Sequence, residues 1–133
     1  MLKSIGVVAG SYVLSIILVL LTDPLLSSLF PGQYVKGSVP GTAPLVVSTA
    51  FFIVISAFCA WVCARFSGDR AATHVLWFFL IGEVLGIATT IPQWSKGFPH
   101  WYYLCWLLSW PVTCWLGLRL GARKNAASAA QAA

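Results

Sequence analysis

The sequence predicts an all-α integral membrane protein, a four-helix transmembrane bundle. Two features of its composition predict this class: 59% of the 133 residues are hydrophobic and only 8% are charged, with a mean hydropathy of +0.87. A soluble domain of this size needs more charged surface to cover its core. In addition, the apolar residues fall into four stretches, each long enough to cross a bilayer as a helix.

The first apolar stretch predicts a helix over residues 4–22. Asp23-Pro24 follows, and we expect the helix to end there because proline removes a backbone donor and restricts the residue before it. Asp23 suits an N-cap, and Pro24 suits the first position of a second, short helix over residues 24–30. Its amphipathic sequence, LLSSLF, predicts that this short helix lies at the membrane interface. The prolines and glycines of residues 31–44 predict a loop.

The remaining stretches predict three further transmembrane helices, over residues 45–66, 73–91 and 101–121. A tight connection over 67–72 joins the second to the third, and Pro92 ends the third. Pro111 lies inside the fourth helix, where we expect a kink that frees the carbonyl of Leu107. The alanine-rich residues 122–133 predict a flexible cytoplasmic tail. The transmembrane domain therefore covers residues 1–121.

The basic residues predict the orientation of the chain. Six lie on one side of the membrane (Lys3, Arg65, Arg70, Arg119, Arg123 and Lys124) and two on the other (Lys36 and Lys96). Basic residues favour the cytoplasmic side, so both termini should be cytoplasmic, in a plasma (inner) membrane. Aromatic belts agree with this, with Trp94, Trp101, Tyr102 and Tyr103 outside and Trp61, Trp77 and Trp115 inside. The basic residues form no stripe, and no nucleic acid partner is predicted.

Three G-x-x-x-G pairs predict close contacts between helices, since small residues let backbones approach. The pairs are Gly6/Gly10, Gly82/Gly86 and Gly117/Gly121. The first and last pairs lie near the cytoplasmic ends of antiparallel helices one and four. We therefore predict that these two helices touch there and close a four-helix ring. The remaining pair flanks Glu83 and should let another helix approach it.

Glu83 is the one charged residue of the third stretch and lies at its midpoint. A carboxylate at that depth is unfavourable unless it is neutral, paired or facing water, so we expect it to face other helices rather than lipid. Two interpretations stay open. Glu83 is either a functional carboxyl that exchanges protons or holds a cation, or a neutral acid bonded to serine or threonine that serves helix association only.

Polar and aromatic side chains at similar depth outline a cavity around Glu83. The hydroxyls are those of Tyr12, Ser15, Ser56, Ser109 and Thr113, and the aromatic residues are Trp106 and Trp110, which lie too deep for a belt. Two indoles on one helix face, i and i+4, can form a wall for an apolar or cationic ligand through stacking and cation–π contact. The alternative is ordinary helix packing beside a proline kink.

Neither the cysteines nor the histidines predict a cofactor or metal site. Cys59, Cys63, Cys105 and Cys114 lie in apolar stretches without C-x-x-C spacing, which predicts small buried residues. His74 and His100 lie at opposite membrane ends, which excludes a haem or metal shared between them in one protomer. Either histidine alone is typical of an interfacial polar residue.

Three functions stay open, and the sequence contains no H-E-x-x-H, P-loop or G-x-S-x-G motif. The first is a non-enzymatic membrane protein: an accessory or interaction subunit in a homo-oligomer or larger complex, or a binder of a small apolar molecule. The second is a proton- or cation-coupled small transporter or channel in which Glu83 is the coupling carboxyl. The third is an intramembrane enzyme that uses Glu83.

Overall fold

The computed structural model describes the backbone of residues 2–34 and 38–131 and the side chains of residues 5–34 and 38–123. The described part contains four long helices: α1 (Leu2–Leu29), α2 (Thr42–Phe66), α3 (Ala71–Gln93) and α4 (His100–Gln131). A single 3-10 turn, Gly68–Arg70, joins α2 to α3. Gly68 has φ +56°, a left-handed conformation that glycine adopts without strain. The predicted all-helical class is confirmed.

Three segments of the described chain are long and apolar enough to cross a membrane. They are Ile5–Leu29, Thr42–Phe66 and Gly68–Gln93, with mean hydropathies of 2.4, 2.4 and 1.8. The surface of the bundle is also apolar, since Ile91 and Leu108 are each 70% exposed. A soluble protein rarely exposes such a surface over its whole length. These findings indicate a membrane protein.

The first helix does not end at Asp23-Pro24, and that prediction is wrong. α1 continues through Pro24, and its end is held by a hydrogen bond from the Phe30 amide to the Leu26 carbonyl at 2.9 Å. Proline removes only one bond of the helical ladder, and membrane helices often contain it. The predicted separate helix over residues 24–30 is therefore the C-terminal end of α1.

The other helix ends differ from the prediction to a smaller degree. α3 includes Pro92 and reaches Gln93, two residues beyond the expected end at residue 91. α4 continues past Gly121 to Gln131, because the segment there is rich in alanine, the strongest helix former. Residues 132–133 of the predicted tail and the loop residue Lys36 lie outside the described residues.

α2 is the central helix of the bundle. It packs against α1, α3 and α4, most extensively against α4. Small residues form that interface: Ala60 and Ala64 of α2 are fully buried against Gly117 and Gly121 of α4. A Cβ added at Gly117 would lie 2.6 Å from the Ala60 Cβ and 2.6 Å from the backbone nitrogen of Trp61. The backbones of α2 and α4 therefore approach each other as closely as glycine allows.

The predicted contact between the first and fourth helices is wrong. The described residues of α1 and α4 form no extended contact, and both helices pack on α2 and α3 instead. No described atom lies within 4 Å of a Cβ added at Gly6 or Gly10. A G-x-x-x-G pair predicts that a helix can be approached closely, but it does not select the partner. The alanines of α2 fit the α4 glycines, so no four-helix ring closes at that end.

Three of the four cysteines belong to the core. Cys59, Cys63 and Cys114 are at most 3% exposed and pack with Phe78. All four cysteines are free thiols, and Cys105 is exposed on the outer face of α4. The expectation of buried cysteines is therefore wrong for Cys105, which the sequence places in an apolar stretch without revealing its helix face.

The α2–α4 interface predicts opposite effects for two glycine-to-alanine variants. Gly117→Ala should lower the free energy of unfolding by about 1–3 kcal/mol, because the added methyl group meets backbone atoms of α2 that have to move. Gly10→Ala is the matched control, and it should leave stability unchanged or raise it by up to about 1 kcal/mol through helix propensity. Thermal unfolding in detergent measures both; equal losses in the two variants would contradict the interface.

Candidate functional site

A cavity of about 890 Å³ lies between the four helices, in the half of the bundle that contains the loop after α1. Six of the eight residues predicted to surround a cavity line it: Tyr12, Ser15, Ser56, Glu83, Trp106 and Trp110. These residues come from all four helices. Gly82 and Gly86 line the same cavity, so the α3 glycine pair also belongs to this site.

Ser109 and Thr113 do not line the cavity, and their predicted place in it is wrong. The Ser109 hydroxyl donates to the Trp106 carbonyl at 3.2 Å, and the Thr113 hydroxyl donates to the Trp110 carbonyl at 2.9 Å. Hydroxyls inside a helix often bond back to the preceding turn in this way. Thr113 is only 2% exposed. Neither hydroxyl is a hydrogen-bond partner of Glu83.

Glu83 is half-buried and lines the cavity. Oε2 is buried, and no described residue donates a hydrogen bond or forms an ion pair with it. A polar group removed from water without a hydrogen bond is destabilising by about 1–3 kcal/mol, and more when it is charged. Three of the five hydroxyls predicted to bond it, those of Ser15, Ser109 and Thr113, donate to backbone carbonyls instead. Glu83 therefore lines the cavity and carries a buried carboxyl oxygen that no described residue satisfies.

Aromatic rings form one wall of the cavity. Phe52 stacks on Trp106 with ring centroids 4.8 Å apart and an interplanar angle of 10°, and it lies 5.9 Å from Trp110. The Tyr102 ring centroid lies 4.8 Å from that of Trp106, with an interplanar angle of 53°. The cavity residues predicted from the sequence do not include Phe52 or Tyr102. Phe52 precedes Ser56 by one helical turn and therefore shares its face, which is the signal that identifies it.

The two indoles of this wall differ in their hydrogen bonds. Trp110 Nε1 donates to the Phe79 carbonyl at 3.0 Å, which ties α4 to α3. The Trp110 ring lies directly over Gly82, where any side chain would overlap it. In contrast, Trp106 Nε1 is buried and has no hydrogen-bond partner among the described residues. Trp110 is thus a structural contact, whereas Trp106 has an unsatisfied donor.

A hydrogen bond between α1 and the following loop borders the end of the cavity next to that loop. The Tyr34 hydroxyl donates to Oδ1 of Asp23 at 2.6 Å, and both residues line the cavity. Burial, and then the adjacent carboxylate, raise the pKa of Tyr34, so the phenol keeps its proton. Asp23 is therefore an acceptor for the loop rather than the predicted helix cap. The sequence does not predict the path of the loop, and therefore it does not predict the hydrogen bond between Tyr34 and Asp23.

The fold and this site define a helical membrane protein with a polar and aromatic cavity between its helices. Comparison with protein-family models, with curated proteins and with solved structures finds no significant match to the chain. The function of the protein is therefore inferred from the chemistry of the cavity. That chemistry combines an unsatisfied carboxyl oxygen, an unsatisfied indole N–H and a wall of stacked rings.

The different hydrogen bonds of the two indoles predict different responses to the same substitution. Trp110→Phe removes a bond to the Phe79 carbonyl, whereas Trp106→Phe removes a buried donor that has no partner. Both changes delete the same atoms. We expect the free energy of unfolding of Trp110→Phe to be lower than that of Trp106→Phe by about 1–3 kcal/mol. Thermal or denaturant unfolding of the two variants in detergent tests this, and an equal loss would show that the Trp106 N–H is satisfied in the folded protein.

Proposed function

We propose that the protein crosses a plasma membrane four times, with both termini in the cytoplasm. The distribution of basic residues supports this orientation. The Arg119 guanidinium lies 4.3 Å from the centroid of the Trp115 ring, an arrangement typical of side chains near a membrane surface. The mean hydropathy of α4 is lower than that of the other three helices because α4 contains four tryptophans and two tyrosines. Tryptophan and tyrosine are both common in membrane helices near the interface. The end of α1 beyond Pro24 then reaches the outer interface.

Within this bundle, we propose that the cavity binds a small, largely apolar molecule that carries a cationic or hydrogen-bond donor group. The single observation that supports this most is the buried, unpartnered Oε2 of Glu83 at the cavity wall. A volume of about 890 Å³ is typical of a ligand pocket. This cavity favours ligand binding over a purely accessory role in a larger complex.

Each part of the wall has a counterpart in such a ligand. An ammonium group would form a charge-assisted hydrogen bond with Glu83, which is strong where water is scarce. An aromatic or aliphatic body would stack against Phe52 and Trp106, and the rings would also attract the cation. An acceptor atom on the ligand would accept a hydrogen bond from the indole N–H of Trp106. The proposal therefore specifies an amphipathic amine rather than a plain hydrocarbon.

A second function, a proton- or cation-coupled transporter with Glu83 as the coupling carboxyl, is favoured by one observation. The cavity extends from Glu83, near the middle of α3, to Asp23 and Tyr34 at the outer end of the bundle. A substrate or proton would reach Glu83 along this route from one side. An intramembrane acid in contact with a route to water is a common feature of transporters.

The ligand proposal predicts that binding depends on the carboxylate and on the amine. Purified protein should bind 1-naphthylmethylamine about tenfold or more tightly than 1-ethylnaphthalene, a neutral molecule of similar shape, because only the amine can pair with Glu83. Glu83→Gln should abolish this difference. Equilibrium dialysis, corrected with empty micelles, measures both ligands.

Asp69→Asn is the matched control for that experiment. It removes an acidic charge from the exposed turn between α2 and α3, far from the cavity. This variant should keep the preference for the amine. If the two ligands bind the native protein equally, or if both variants lose the preference together, specific pairing at Glu83 is excluded.

The transporter proposal predicts a proton flux. Protein reconstituted in liposomes with an internal pH-sensitive dye should move protons when a gradient of the naphthyl amine is imposed. Glu83→Gln should abolish the flux and leave the helical circular dichroism spectrum unchanged, while Asp69→Asn keeps it. A Glu83→Gln variant with native flux would end the transporter proposal without affecting the binding proposal.

A further inference from the structure

A second cavity, of about 660 Å³, lies between α1 and α3 near the turn that joins α2 to α3. Its α3 side changes in character along the helix. Arg70, Thr73 and His74 line the end next to the turn, whereas Trp77 and Ile81 line the part further along. Val8 is one of the apolar residues that line it from α1. The cavity is therefore a groove with a polar, basic end and an apolar remainder.

The basic end of the groove is built by the start of α3 and the residue that precedes it. Arg70 is the N-cap of α3, and Thr73 and His74 follow it at i+3 and i+4, a spacing that puts the three side chains on the same side of the helix start. No side chain caps the N-terminus of α3. The partial positive charge of a helix N-terminus adds to that of the arginine. This end of the groove is thus suited to an anion.

His74 supplies the observation that points to a ligand. The residue is only 8% exposed, and its buried Nδ1 atom has no hydrogen-bond partner among the described residues. A buried polar atom in a native protein is normally satisfied. An imidazole nitrogen that carries a proton donates to a phosphate oxygen, as the neighbouring Arg70 and the Thr73 hydroxyl also do. The three side chains together offer a set of donors at one place.

We propose that this groove binds an anionic phospholipid. The phosphate lies between Arg70 and His74, and an acyl chain follows the groove along Val8, Trp77 and Ile81. Two arguments select this occupant: the polar end is basic, and the rest of the groove is apolar. Basic pockets between transmembrane helices on the cytoplasmic side recognise anionic lipid head groups in this manner.

The length of the groove agrees with a lipid in one leaflet. Ile81 is eleven residues beyond Arg70, a distance of about 16 Å along a helix. The hydrocarbon part of one leaflet is roughly 15 Å deep, half of the bilayer core. A lipid whose phosphate is level with Arg70 therefore reaches Ile81 with the end of its chain.

Native mass spectrometry tests the proposal. Delipidated full-length protein is mixed with equal amounts of phosphatidylglycerol and phosphatidylcholine that carry the same acyl chains. We expect one bound phosphatidylglycerol in preference to phosphatidylcholine. Arg70→Gln and His74→Gln should each reduce this preference about fivefold, the effect of one basic side chain at a lipid head group.

Arg123→Gln is the matched control, because Arg123 is an exposed arginine of α4 outside the groove. It should keep the native preference. Equal binding of the two lipids by the native protein, or an equal loss in Arg70→Gln and Arg123→Gln, would overturn the proposal. Glycerol phosphate at the same concentration should not displace the lipid; displacement would overturn it too, since the chain would then contribute nothing. Because Arg70 is exposed, Arg70→Gln should fold normally, and it tests the lipid preference even if His74→Gln misfolds.

Discussion

The close approach of α2 and α4 determines where the bundle is tight and where it is open. At the end near the α2–α3 turn, Ala64 faces Gly121 and Ala60 faces Gly117, so the two backbones are almost in contact. Towards the other end the facing side chains become large, and Phe52 stacks on Trp106. At one end small residues allow close approach, and at the other end stacked aromatic rings lie between the two helices. The cavity around Glu83 lies in the half that the aromatic rings hold apart.

The distribution of unsatisfied polar atoms follows from the same constraint. In a bilayer core every polar group needs a partner within the protein, and several of the described serine and threonine hydroxyls of the helices find one in the preceding turn. Thr22, Thr49 and Thr113 are examples. Three buried side-chain nitrogen or oxygen atoms of the described residues have no partner: Glu83 Oε2, Trp106 Nε1 and His74 Nδ1. All three belong to residues that line the two cavities, which is why these cavities carry the functional argument.

The sequence predicts depth in the membrane better than it predicts neighbours. Rise per residue and alternating direction fix the level of Tyr12, Ser56 and Trp106 relative to Glu83, and these four do meet around one cavity. Rotation about each helix axis depends on the partner helix, which composition does not specify. For this reason the face predicted for Ser109 and the contact predicted for the α1 glycines are wrong.

Predictions from the local sequence are wrong where packing between helices, or the continuity of a long apolar helix, overrides the local signal. Proline is a strong signal for the end of a helix in water, yet α1 passes through Pro24 because one missing bond is tolerated within a continuous apolar helix. His74 resembles an ordinary interfacial residue in the sequence, and only the packing of α1 against α3 reveals that it is buried. Phe52 shares a helix face with Ser56, but the sequence does not show that Trp106 of α4 stacks on it.

The two cavities are neighbours, and their chemistry keeps them distinct. Tyr12 lines both, and its ring meets Phe78 edge-on with centroids 5.7 Å apart, so a single aromatic side chain contributes to the wall on each side. On one side the unsatisfied group is the carboxyl of Glu83, which attracts cations and donors. On the other side the groups are Arg70 and His74, which attract anions. Under the two proposals the ligands carry opposite charges, a cation beside Glu83 and an anion beside Arg70, so each site would disfavour the ligand of the other.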